Sequence, residues 1–140
     1  MRASALLIKP PWATMVVRGH KTIELRTSRT HKIGHEIYIA KAGSKTLIGK
    51  VTITDCRPLT PQQIIQLAPQ HRALDYKPPP NKIIYGWFLS NPTAFAESIP
   101  YPHPHGAQRW VRLDNIPDSS PILAPMAGSN KYKANEYKSN

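Results

Sequence analysis

Cysteine is nearly absent from this sequence, since Cys56 is the only one among 140 residues. A single cysteine has no partner for an internal disulfide, so packing and hydrogen bonds must hold the fold. The sequence also opens without the charged, apolar and small-residue pattern of a secretory signal. We therefore expect a cytoplasmic protein in which Cys56 is a buried, small hydrophobic side chain.

Long hydrophobic runs are missing as well. No apolar stretch approaches the roughly 20 residues that a transmembrane helix needs, so we expect no membrane partner. The chain is long enough to bury a real core in one domain, and it contains no internal repeat.

Acidic residues are scarce: 8 Asp and Glu stand against 19 Lys and Arg, a formal net charge of +11. Residues 1–57 carry 11 basic and 3 acidic side chains, whereas residues 58–140 carry 8 and 5. The positive charge is therefore concentrated in the first half. Such an excess attracts polyanions, above all nucleic acid, although basic proteins without nucleic-acid partners also exist.

The first half of the sequence predicts three strands and one short helix before residue 42. Residues 5–9 are mostly apolar and are followed by a proline, which favours a buried strand. Prolines 10 and 11 suit the first turn of a helix over residues 11–18, and Gly19 ends it. Residues 21–28 and 36–41 alternate between apolar and polar side chains, as half-buried strands do.

The remaining elements are predicted from the same signals. Residues 47–54 complete a hairpin with 36–41, and Thr60 caps a helix over 61–68. The proline-rich stretch 69–81 predicts a loop. Strands follow at 83–90 and 109–113, with irregular chain between them.

This set of elements predicts a small, mostly β protein of the α+β class, a mixed β-barrel of five to six strands with two or three short helices. The helices are too few for a parallel α/β sheet. The composition after residue 115 turns to proline, serine, asparagine and lysine. We therefore predict one domain over 1–115 and a flexible tail over 116–140.

One ordered set of motifs stands out. The helix over 11–18 leads into Gly-His-Lys-Thr-Ile-Glu-Leu-Arg at 19–26, which is followed by the strand 36–41 and by Leu-Ile-Gly-Lys-Val at 47–51. This pattern resembles the ASCH domain, with its G-x-K-x-x-E-x-R motif and later Ile-Gly-x-Val strand. The segment YGWFLSNPTAF and the later WVRL are similar to its closing strands, so the resemblance covers about residues 4–114. It implies a PUA-like barrel with a cleft beside the first helix, and RNA-related binding or hydrolysis.

The chemistry of the motif is also readable from the residues themselves. Glu24 and Arg26 share a strand face at two-residue spacing, about 7 Å apart, so one ligand can touch both. Lys21 lies at the start of this strand, where its ammonium can turn towards them. Cations hold phosphate, and a carboxylate accepts hydrogen bonds from base amines or ribose hydroxyls. The alternative is a surface ion-pair network that contributes little to stability.

We predict that RNA or a nucleotide is the partner. The predicted binding residues are Lys9, Lys21, Glu24, Arg26, Lys41 and Trp87.

Aromatic side chains beside positive charge are typical of surfaces on which bases stack. The candidates are Trp12, Tyr38, Tyr85, Trp87 and Trp110. A core position remains the commoner role for each of them. His103 and His105 lie two residues apart, but no cysteine or carboxylate cluster accompanies them, so we expect no metal and no cofactor. His20, inside the motif, is either a phosphate contact or general base, or a solvated turn residue.

Enzymatic activity is the alternative to binding. Some proteins similar to the ASCH domain hydrolyse 4-acetylcytidine with the lysine of the motif, a threonine three residues later and a downstream glutamate. Here Lys21 matches, but position 24 is Glu, and no glutamate occurs between Glu36 and Glu97. Other members resemble ribonucleases, for which Lys21 and Glu24 would be the catalytic pair and Arg26 a phosphate ligand.

Overall fold

The computed structural model describes residues 3–113 as one six-stranded mixed sheet with three short helices. The strands are β1 (Ser4–Ile8), β2 (Ile23–Arg26), β3 (Glu36–Lys41), β4 (Thr46–Leu59), β5 (Ile84–Pro100) and β6 (Trp110–Arg112). The helices are α1 (Trp12–Val17), α2 (Pro61–Gln66) and α3 (Ala68–His71). The predicted tail over 116–140 lies outside the described residues.

The strand order is β2-β5-β4-β3-β1-β6. β1 and β3 run parallel, and every other neighbouring pair is antiparallel. The sheet curls strongly. Three strands separate β5 from β6 in the sheet, yet Trp87 on β5 stacks on Trp110 of β6 with ring centroids 5.9 Å apart. The result is a half-barrel, which confirms the predicted PUA-like, mostly β fold.

Helix α1 packs against the inner face of the half-barrel. Its Ala13, Val16 and Val17 are buried in the main core cluster with residues of β1, β3, β4 and β5. Gly49 on β4 permits this approach, because a Cβ there would collide with the Thr93 carbonyl oxygen and lie 2.6 Å from Cγ1 of Val17. The core thus fixes the end of β1 and the start of α1 relative to β3, β4 and β5.

Two predictions of local structure were wrong. The segment 69–81 was expected to be a loop, yet α3 (Ala68–His71) extends into it. β5 was expected to end near residue 90, yet it continues to Pro100. It passes Pro92 because a bulge falls there: Ser90 pairs with Thr52 and Thr93 with Lys50, so the two residues between them face one on β4.

The hairpin between β3 and β4 and the helix that Thr60 caps are confirmed. Thr60 accepts a hydrogen bond from the Gln63 amide, and the Gln63 side chain accepts one from the Thr60 amide. This capping box satisfies two amides at the start of α2. Cys56 is half-buried and packs against the main core cluster.

Candidate functional site

A cavity of about 570 Å³ lies between β2 and the end of β1. Its walls come from the end of β1, the start of α1, the motif and β2, the β3–β4 turn, the segment after α3 and the segment before β6. The lining residues are Leu7, Ile8, Lys9, Trp12, Lys21, Glu24, Leu25, Arg26, Ala42, Gly43, Ala73, Tyr76, His103, Ala107 and Gln108. The residues of the sequence motif therefore meet residues from five other parts of the chain.

Glu24 is the centre of a charged network in this cavity. Its Oε2 accepts a hydrogen bond from Nε of Arg26 at 2.9 Å and forms an ion pair with Nη2 of the same guanidinium at 2.7 Å. Its Oε1 lies 3.5 Å from Nζ of Lys21. Two cations thus share one carboxylate, and the network keeps a surplus positive charge.

Lys21 is a buried lysine, with only 3% of its surface exposed. Its ammonium donates to the His71 carbonyl oxygen as well as facing Glu24. Burial lowers the pKa of Lys21 below its usual 10.5, and the nearby Arg26 adds to that effect while Glu24 opposes it. An ammonium has three N–H donors, and the described contacts account for two of them.

Arg26 closes the gap between β2 and β1. Its Nη2 donates to the Leu7 carbonyl oxygen at 2.9 Å, although Leu7 is on a strand that is not adjacent to β2 in the sheet. Its guanidinium also lies 5.7 Å from the ring centre of Trp87. The guanidinium is therefore held from three sides and cannot move without breaking charge-assisted contacts.

Aromatic side chains form part of the cavity wall. Trp12 and Tyr76 are both half-buried lining residues. Burial raises the pKa of the Tyr76 hydroxyl, and the Glu24 charge raises it further. His103 lines the cavity too, but both of its ring nitrogens are occupied, by the Tyr101 hydroxyl and the Ala107 carbonyl.

The structure brings together four of the six predicted binding residues. Lys9, Lys21, Glu24 and Arg26 line the cavity. Lys41 does not line it but precedes Ala42 and Gly43, which do. That these four lining residues and Lys41 bind a ligand stays a prediction.

Trp87 occupies a core position, 2% exposed, and its indole nitrogen donates to the Ser28 carbonyl. It is not one of the cavity-lining residues. The structure therefore shows that Trp87 packs in the core, which is one of the two roles that the sequence left open. The location of Trp87 gives no support to its predicted contact with a ligand.

Several lining residues were not predicted, Tyr76 above all. It lies in the proline-rich segment, where the sequence offers little except an isolated aromatic residue. Its neighbour in space, Glu24, is 52 positions away in the sequence, so no local pattern connects them.

Residues 3–113 contain neither a cluster of metal-binding side chains nor a membrane-spanning helix. Within this range no three side chains of His, Cys, Asp or Glu converge as metal ligands. None of the helices described there has the length and apolar character needed to cross a bilayer.

Comparison with known proteins points to one family. The model of the ASCH domain matches residues 6–99. A crystal structure of an ASCH protein from Zymomonas mobilis is similar with a TM-score of 0.58 and 15% identity, over 70% of this chain and 73% of that one. A point mutant of the Zymomonas mobilis protein gives a TM-score of 0.60 and 13% identity, over 78% and 86%. Comparison with curated proteins gave no match.

Proposed function

The chain belongs to the ASCH domain family, and we propose that its cavity binds RNA or a nucleotide through Lys21, Glu24 and Arg26, with Lys9 at the rim. The observation that carries this proposal is the location of the whole charged network in the wall of one cavity. The resemblance of the sequence to the family implies RNA-related binding, and the chemistry of the cavity supports the same partner.

The charge of the cavity favours an anion. Three cationic side chains and one carboxylate line it, which leaves a formal charge of +2. Glu24 neutralises only part of the Lys21 and Arg26 charge, and Lys9 is exposed beside them. A phosphate that enters the cavity meets this surplus in surroundings that are partly shielded from water, where charge attraction is stronger than at the surface.

The shape and walls of the cavity favour a base or nucleoside attached to that phosphate. A volume of about 570 Å³ lies in the range of roughly 300–1,000 Å³ that small-molecule sites occupy. Most of the wall is apolar, with Trp12 and Tyr76 as aromatic surfaces on which a base can stack. A cavity of this volume can hold a single unpaired nucleotide and is too small for a double helix.

The proposal is tested with two matched lysine variants. Lys21→Met removes the cavity ammonium. Lys50→Met removes another buried lysine, which pairs with Glu36 at 3.2 Å and does not line the cavity. Both variants lose one positive charge, so long-range attraction falls equally, and only Lys21→Met loses a contact in the cavity.

Binding of a labelled single-stranded RNA is measured by fluorescence anisotropy at low salt. We expect Lys21→Met to weaken binding about tenfold or more and Lys50→Met to leave it near wild type. The dependence of log Kd on log salt should also be shallower for Lys21→Met, by about 0.7 for one single-strand phosphate contact. Absence of binding by the wild type, or equal losses in the two variants, would refute the proposal.

A second candidate is hydrolysis of RNA or of acetylated cytidine in the same cavity. The observation that favours it is the pairing of Lys21, whose pKa is lowered, with Glu24 beside it, a combination suited to proton transfer. Incubation of the wild type with labelled RNA and with acetylated cytidine between about pH 5 and pH 9 tests it. Product that disappears in Lys21→Met and persists in Lys50→Met would support hydrolysis, and no product from the wild type would exclude it.

A further inference from the structure

His71, the last residue of α3, is a buried histidine outside the cavity wall. Only 1% of its surface is exposed. Its Nε2 lies 2.6 Å from the Ile64 carbonyl oxygen on α2, and its Nδ1 accepts the Ala73 amide at 3.0 Å. The ring thus ties α2 to the segment that follows α3.

These two contacts define the form of the imidazole. An amide can only donate, so Nδ1 must be the unprotonated acceptor, and a carbonyl can only accept, so Nε2 must carry the proton. The neutral ring with its proton on Nε2 satisfies both neighbours. Its orientation is therefore determined by one contact on each side.

The main chain of the same turn holds the start of the motif. The His71 carbonyl accepts a hydrogen bond from the Lys21 ammonium, and the Gln70 carbonyl accepts one from the Thr22 amide at 2.9 Å. Carbonyls at a helix end have no partner within the helix, and here they serve the residues that lead into β2. Ala73, held by the His71 ring, is itself a cavity-lining residue.

We propose that His71 is a positioning residue for the cavity, whose imidazole fixes the carbonyl that directs the Lys21 ammonium towards Glu24 and an entering phosphate. The role in ligand binding rests on the proposed function, whereas the role in holding Lys21 does not. His71 is 50 positions from Lys21 in the sequence and touches no ligand site directly, so it acts through Lys21 and Ala73 alone.

Two substitutions of His71 distinguish a positioning role of its imidazole from a packing role. His71→Leu keeps apolar bulk but removes both ring contacts. His71→Asn offers an amide oxygen close to the position of Nδ1, which can accept the Ala73 amide again. A positioning role predicts that Asn retains more of the wild-type behaviour than Leu.

Two readouts are measured on folded protein, at temperatures where circular dichroism shows each variant to be native. The first is the rate at which Lys21 is methylated by formaldehyde and a borohydride, detected by peptide mass spectrometry. The second is the Kd for single-stranded RNA. We expect His71→Leu to speed Lys21 methylation and to weaken RNA binding, each by about tenfold, and His71→Asn to lie between Leu and wild type.

Ile64→Val is the control, because it trims the core beside His71 and leaves the Ile64 carbonyl in place. It should lower the melting temperature without changing either readout. The inference would be overturned if Lys21 were methylated as slowly in His71→Leu as in the wild type and this variant bound RNA with unchanged affinity. It would also be overturned if Ile64→Val changed both readouts as much as His71→Leu does. Wild-type protein that binds no RNA would overturn the proposed function, and the methylation rates would still decide whether His71 holds Lys21.

Discussion

Replacing Arg26 by lysine should destabilise the protein far more than the same change at Arg57. Both arginines pair with a carboxylate and lie against an aromatic ring: Arg57 has its Nε 2.9 Å from Asp55 and its guanidinium 4.4 Å from the Phe88 ring centre. They differ in burial, since the Arg26 side chain is 19% exposed and that of Arg57 61%.

The expected magnitude follows from the contacts that lysine cannot reproduce. Arg26 directs Nε and Nη2 to Glu24 and Nη2 also to the Leu7 carbonyl, whereas an ammonium on a flexible chain can replace one of these geometries at most. A hydrogen bond that involves a charged group contributes about 1.5–3 kcal/mol. After allowance for partial exposure, we expect Arg26→Lys to lower the free energy of unfolding by about 2 kcal/mol. For Arg57→Lys we expect about 0.5 kcal/mol or less, as for exposed ion pairs in general.

Urea unfolding at neutral pH, followed by tryptophan fluorescence, measures both values. The m-value should stay the same, so that the midpoint shift reports stability alone. Similar losses for the two variants, or a larger loss for Arg57→Lys, would refute the claim that the Arg26 contacts hold β2 against β1.

Three further predictions concern pH and packing. The pKa of Lys21 is lowered in the folded protein, so the unfolded chain binds more protons between that value and 10.5. The contribution of Lys21 to the free energy of unfolding should therefore rise with pH in this range, and urea titrations of Lys21→Met should lack this contribution. Burial raises the pKa of Tyr38 to about 12, so the stability that this group contributes below pH 10 should be lost as the pH rises, by about 1.4 kcal/mol at pH 11. Urea midpoints at about pH 9 and pH 11 test this, and Tyr38→Phe should lose less over the same interval. Gly49→Ala places a Cβ against the Thr93 carbonyl and Val17, so thermal unfolding should show a loss of about 2 kcal/mol or more, and an unchanged melting temperature would contradict the close packing of α1.

Local patterns predicted much of the fold because they reflect local physics. Strand β3 (Glu36–Lys41) coincides with the predicted 36–41, since alternation of apolar and polar residues identifies a half-buried strand. Helix α2 begins at Pro61, as the Thr60 cap indicates. Strand β5 extends beyond its prediction because proline is tolerated at a bulge, and the bulge depends on pairing with β4 rather than on the β5 sequence.

The candidate site was predictable only where its residues are close in sequence. The spacing of Glu24 and Arg26 predicts that they share a strand face, and Lys21 joins them from the preceding turn. Tyr76 lines the cavity and the His71 carbonyl contacts Lys21, although each lies about 50 positions from its partner in the motif. No local sequence pattern connects residues so far apart. Trp87 was predicted to contact the ligand because aromatic side chains suit a base-stacking surface. Its side chain lies instead in the core, where it stacks on Trp110.

The most direct test of ligand binding in the cavity uses the tryptophan indole N–H signals in a two-dimensional NMR titration with single-stranded RNA. Trp12 lines the cavity, whereas Trp110 is not a lining residue and stacks on the buried Trp87, so it serves as the internal control. We predict a saturable shift of the Trp12 indole signal that is lost in Lys21→Met, with the Trp110 signal little changed. RNA that binds without moving the Trp12 signal, or that shifts Trp110 instead, would contradict a ligand site in this cavity.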